Sequence, residues 1–162
     1  MSVTSLFALV RSTVRVQVRR AFHAIRDPWF YVVASLGLAA WFTPLPRIQM
    51  DWDWLLVKAL YEEFLFRFLL QEALDRVFGR RFHFGPCSLA NVLASLAFCA
   101  MHLFTQSTMW AALIFFPSLL FGWAWDRYKS VLPPAAIHFF YNYCHFYRLG
   151  LKKYIPLLPN LF

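Results

Sequence analysis

The chain alternates between long apolar runs and short polar or basic joints. Five runs read as membrane-spanning helices: Trp29 to about Pro46, Leu55 to Leu74, Ser88 to Phe104, Met109 to Trp125, and Pro133 to about Arg148. Local signals mark their ends. Asp27-Pro28 starts the first and Pro44 and Pro46 close it, Gly79 can cap the second, Phe84-Gly85-Pro86 breaks the chain before the third, and Pro133-Pro134 opens the fifth. The first 26 residues follow a different pattern. A helix there would set Arg11, Arg15, Arg19 and Arg26 along one side and Phe7, Val10, Val14, Val18, Phe22 and Ile25 along the next. Arginines bordering an apolar stripe snorkel, so this segment reads as a helix in the membrane interface, with a solvated basic arm as the alternative. Arg11 and Arg15 interrupt it too early for a cleaved signal peptide.

The predicted fold is therefore all-α: a polytopic bundle of about five transmembrane helices with an N-terminal basic amphipathic helix. Three parts are expected, a basic interfacial helix at 1–28, a transmembrane core at 29–150, and a short interfacial tail at 151–162. Composition agrees. Sixty per cent of residues are hydrophobic and 15% charged, against roughly 25% charged in an average soluble domain. The net charge of +8 would suggest nucleic acid in a soluble protein, but here the basic residues fall at the joints and no basic groove with interleaved aromatics is legible, so they read as topology signals and contacts to anionic lipid. The five arginines before the first run place the N-terminus in the cytoplasm, and a bacterial inner membrane is the expected location. Cys87, Cys99 and Cys144 have no metal-ligand spacing and imply no disulfide framework.

The second run carries Glu62, Glu63 and Arg67 within it. A charge near a bilayer centre costs roughly 2.5–3.5 kcal/mol on insertion scales, so these residues need a reason. Arg67 follows Glu63 by one helical turn, which stacks them as an ion pair, while Glu62 points about 100° away and is left over as a carboxylate able to take or give a proton. A structural knot between helices is the competing reading. Nearer the surface, Glu72 and Asp75 beside Arg76 read as an exposed pair.

On the third run Asn91, Ser95, Phe98 and His102 share a face. Asn91 and Ser95 fit as polar glue, whereas His102 lies at a depth comparable to Glu62, so the two could hold a water between them. On the fifth run His138 and Asn142 are one turn apart and offer hydrogen-bond donors of the kind a tetrahedral oxyanion needs. With spans as drawn, His138 lies about 10 Å deeper than Glu62 and His102, at 1.5 Å per residue in a core of about 30 Å. A fifth helix beginning inside the membrane would close that gap.

Glu62-Glu63-x-x-x-Arg67, Phe98-x-x-x-His102 and His138-x-x-x-Asn142, in this order on separate membrane helices, resemble the intramembrane proteases of the CPBP family, which includes the CAAX-processing and bacteriocin-processing (Abi) enzymes. The resemblance runs from about Asp53 to Cys144 and takes in Phe121-Gly122 through Ser130-Val131-Leu132-Pro133. It implies that Glu62 and His102 activate a water, that Glu63 and Arg67 hold the helix geometry, and that His138 and Asn142 stabilise the oxyanion. The expected function is an intramembrane endopeptidase acting on a membrane-anchored protein or peptide. Alternatives are a non-catalytic scaffold or immunity protein, and a small transporter or proton relay. A glutamic, metal-free mechanism is preferred because Arg67 beside the carboxylates disfavours a dication. Were a metal such as zinc required, Glu62, His102 and His138 would be its ligands. Access to so compact a site could depend on an oligomer or on lipid.

Overall fold

A computed structural model describes residues 3–43, 50–79 and 83–147. Pro44, Pro46 and the 151–162 tail lie outside these residues. The chain is mostly helical. Helix α1 runs Val3–Ile25, and α2 runs Pro28–Ser35 and tightens into a 3₁₀ stretch at Leu36–Phe42. The acidic helix comprises α3 (Trp52–Glu63), a π-helical stretch (Phe64–Gln71) and α4 (Glu72–Phe78). A two-residue hairpin, β1 (His83–Phe84) with β2 (Cys87–Ser88), precedes α5 (Leu89–His102). Helices α6 (Thr108–Leu113), α7 (Phe115–Tyr128) and α8 (Leu132–Tyr147) follow.

The expected punctuation is visible at the helix ends. Asp27 caps α2 by accepting from the Trp29 amide at 3.0 Å, with Pro28 at the first helical position. Gly79 closes α4 at φ 70°, a left-handed value that glycine adopts without steric cost, and its amide reaches the Asp75 carbonyl. Helix α7 ends on Lys129, a non-glycine residue at φ 48°. Its side chain is held by Asp126 at 3.1 Å and Asp75 at 3.2 Å, contacts that offset the strain of that backbone conformation. Asp75 is thus buried, not part of an exposed pair; among the described residues Arg76 pairs with Glu72, at 3.7 Å. The reason is tertiary, because the start of the turn after α7 brings Lys129 over α4.

Helix α8 packs against α3, α7 and the 3₁₀ stretch, while α5 packs against α7 and the π stretch. The interior is polar where the helices meet: Arg67, Glu63, Gln71, Asn91, Ser95 and Ser118 are fully enclosed. Large apolar side chains face outward, among them Phe42, Phe104 and Met109, each more than 70% exposed. That inversion of the usual soluble pattern suits a hydrocarbon solvent. Among the described residues one helix, Thr108–Tyr128, is long and apolar enough to cross a membrane, and Pro28–Phe42 and Leu89–His102 are shorter apolar helices. A small apolar core of Ala24, Val33, Phe121, Ala124, Tyr128 and Ile137 ties α1 and α2 to α7 and α8. Beside it, at the surface, Asp27 accepts from Arg127 and from the Tyr128 hydroxyl at 2.9 Å, and the guanidinium holds its carboxyl below the usual carboxylate value.

Candidate functional site

The acidic helix supplies a ladder of polar groups at one-turn spacing. Lys58 bonds Glu62 Oε1, Arg67 Nε donates to Glu63 Oε2 at 3.0 Å, and Arg67 NH1 donates to Gln71 Oε1 at 3.3 Å. The Glu63–Arg67 pair forms as the spacing predicts. Glu62 is not left over, however. Lys58 stands one turn before it with the same i,i+4 relation, so the ladder carries two acid–base pairs of local origin. The π-helical stretch directly after Glu63 holds Arg67 and Gln71, and such stretches recur at functional sites.

Other helices complete the shell around Arg67. Ser118 of α7 accepts from NH2 through its hydroxyl at 2.6 Å and its carbonyl at 3.0 Å, and Ser95 of α5 lies 3.5 Å from NH1. Gln71 donates to the Gly122 carbonyl at 3.2 Å, while Asn91 donates to the Leu119 carbonyl at 3.0 Å and accepts from Ser95. Every donor group of the buried guanidinium thus has an acceptor, which is what makes its burial tolerable. Lys58, Gln71 and Ser118 are absent from the sequence-based site. The first two were legible as i,i+4 partners of Glu62 and Arg67, whereas Ser118 had no signal beyond being polar in an apolar run.

At Gly122 α7 comes close to α5. A Cβ built there would lie 1.8 Å from Asn91 Oδ1. Gly122→Ala is therefore expected to displace Asn91 and destabilise the protein by about 1–3 kcal/mol, the usual cost of overpacking. Thermal unfolding in detergent micelles checks this, and an unchanged midpoint would refute the close contact.

His138 of α8 enters this shell from the opposite side. Its Nδ1 bonds Glu63 Oε1 at 2.8 Å and its Nε2 stands 3.6 Å from Glu62 Oε2. Since a carboxylate only accepts, Nδ1 carries the proton. Phe121 stacks on the imidazole at 4.5 Å and Phe98 meets it edge-on at 5.8 Å, so the ring is sandwiched in one orientation. His138 thus meets both glutamates despite the offset drawn from the sequence, and the first residues of its helix, Pro133, Pro134 and Ala135, are buried within the protein.

His102 is half-buried at the end of α5, its Nδ1 donating to the Phe98 carbonyl at 2.8 Å. Nε2 is then the basic nitrogen of the neutral ring. Glu62, Lys58 and His138 are its electrostatic neighbours, and the Phe98 ring lies 4.5 Å from it. Asn142 is half-buried one turn beyond His138. Glu62 Oε2 is buried and accepts no hydrogen bond among the described residues. His145, further along α8, meets Thr43 at 3.0 Å through Nδ1.

Among the described residues no three His, Cys, Asp or Glu groups are arranged to hold a metal, and an ammonium already occupies Glu62 Oε1.

No curated protein and no solved structure matches this chain. A family model described as type II CAAX prenyl endopeptidase Rce1-like matches residues 52–144. The match begins at the first residue of α3 and ends within α8, so it contains the acidic ladder, the α5 face and His138 with Asn142. With more than half of its length inside that match, the chain belongs to the type II CAAX prenyl endopeptidase Rce1-like family, a family of membrane-embedded proteases.

Proposed function

We propose that this chain is an intramembrane endopeptidase of the glutamic type, which cuts a membrane-anchored protein or peptide near its anchor. The observation that carries the reading is Glu62 Oε2, a buried carboxylate oxygen that accepts no hydrogen bond among the described residues and faces an imidazole nitrogen at 3.6 Å. A buried acceptor left open costs free energy, and a water donating to it would recover that cost. In the proposed reaction a water sits between Glu62 Oε2 and His102 Nε2. Its oxygen attacks the scissile carbonyl as Glu62 takes one proton. His138, in its protonated form, and Asn142 donate to the developing oxyanion. The tetrahedral intermediate then collapses, the C–N bond breaks, and the proton held by Glu62 passes to the leaving amine. One water is consumed, and a carboxyl and an amine are formed.

Glu63 and Arg67 act as positioning residues, the first on His138 and the second on the helix around it. We read the bundle as crossing a bacterial inner membrane five times with the N-terminus in the cytoplasm, supported by the outward apolar side chains and the basic joints. A scaffold reading draws on one specific feature, the Lys58 ammonium that closes the other oxygen of Glu62.

Purified protein in bilayers, incubated with membrane-anchored candidate peptides with and without chelator, decides between them. Intact-mass analysis is expected to find two fragments whose summed mass equals that of the substrate plus one water, formed at a rate the chelator leaves unchanged. Absence of product from every candidate favours the scaffold, and loss of product on chelation refutes the metal-free route.

A further inference from the structure

Helix α1 is the element that the site does not use, and its described residues divide into three faces. At about 100° per residue, Gln17, Arg20 and Ala24 fall together and face the protein. Gln17 accepts from Ser130 Oγ through its carbonyl and from the Val131 amide through Oε1, both at 3.0 Å; Arg20 donates to the Lys129 carbonyl at 2.9 Å, and Ala24 is buried in the apolar core. The next face is apolar and bare: Val14, Val18, Phe22 and Ile25 are all exposed. The third carries Arg11, Arg15 and Arg19, also exposed. The helix contains no acidic residue of its own.

The docking point fixes the depth of these faces. Lys129 to Val131 is the turn immediately after Thr108–Tyr128, the helix long and apolar enough to cross a membrane. A helix clamped to that turn lies where the hydrocarbon ends. There an apolar stripe meets acyl chains, and an adjoining row of guanidinium groups meets headgroups. A nucleic acid or an acidic protein would match the arginines but leave the apolar stripe in water.

We propose that α1 is an anionic-phospholipid-binding helix, with Val14, Val18, Phe22 and Ile25 seated in the leaflet and Arg11, Arg15 and Arg19 on the phosphates. Gln17 and Arg20 fix it to the turn that leads into α8, the helix that carries His138. The surface is independent of whether the site cleaves peptides.

Photoreactive phosphatidylglycerol and phosphatidylcholine, incorporated separately into bilayers holding the full-length protein, test this by peptide mapping of their adducts. Wild type is expected to show on Val14–Ile25 an excess of phosphatidylglycerol adducts of at least about fivefold, the fold-change that one arginine at an anionic surface supplies. Adducts around Phe104, exposed on another part of the bundle, serve as the reference and should show no such excess. The triple variant Arg11→Gln, Arg15→Gln, Arg19→Gln should bring the α1 ratio to that of the reference, and added salt should lower it in wild type. Equal adducts of both lipids on wild-type α1 overturn the proposal, as does an excess that survives in the triple variant. Protein–protein cross-links on this stripe in place of lipid adducts would also overturn it, by showing that a second copy covers the face.

Discussion

Replacing Glu62 with Gln is expected to abolish cleavage, with a loss of about 10²–10⁴-fold, the range assigned to a positioned general base. The substitution keeps size and one acceptor oxygen but removes the basicity on which proton abstraction depends. It also removes the charge that Lys58 pairs with. Lys58 has a partly exposed side chain and can turn toward water, so the protein should remain folded and membrane-inserted. Product formation measured by intact mass, beside a thermal unfolding curve in the same detergent, separates chemistry from stability. A variant that unfolds like wild type and cleaves at more than a tenth of its rate would remove Glu62 from the role of base. Retention of a biological function without any cleavage would point to the scaffold instead.

The largest expected effect on stability is at Arg67. Its guanidinium is fully buried and bonded to Glu63, Gln71 and Ser118, with Ser95 at the edge of reach. Arg67→Met removes every one of these bonds and leaves Glu63 enclosed with, among the described residues, His138 as its remaining partner. Breaking one side of a buried ion pair costs about 3–5 kcal/mol. Adding Glu63→Gln should return a large part of that loss, because the stranded charge is the main penalty. A double-mutant cycle read by denaturant or thermal unfolding in micelles measures the coupling. Arg67→Met within about 1 kcal/mol of wild type, below the buried-pair range, would mean that the polar shell is dispensable for folding. Catalytic activity should fall in the single variant even where it folds, since Glu63 orients His138.

Local interactions were legible from the sequence and long-range ones were not. Glu63 and Arg67 pair because i and i+4 meet on any helix, and the same rule would have found Lys58 with Glu62 and Arg67 with Gln71. The cap at Asp27, the break at Gly79 and the start of α8 at Pro133-Pro134 rest on backbone chemistry within a few residues. Asp75 shows the limit: beside Arg76 it reads as exposed, yet Lys129, far along the chain, buries it. His138 shows it again. Its spacing to Asn142 suggests a donor pair on α8, but which carboxylate it meets depends on how deeply that helix enters the bundle.

The amino-acid sequence alone determined that this is an apolar helical chain with carboxylates, imidazoles and a guanidinium inside it, because periodicity, caps and one-turn pairs are properties of short stretches. Only the tertiary structure decided that His138 bridges toward both glutamates, that Ser118 completes the shell of Arg67, and that α1 is clamped by Gln17 to the turn that leads into α8. Those contacts join residues tens of positions apart, and their geometry follows from the depth and rotation at which helices pack, quantities that no single helix contains.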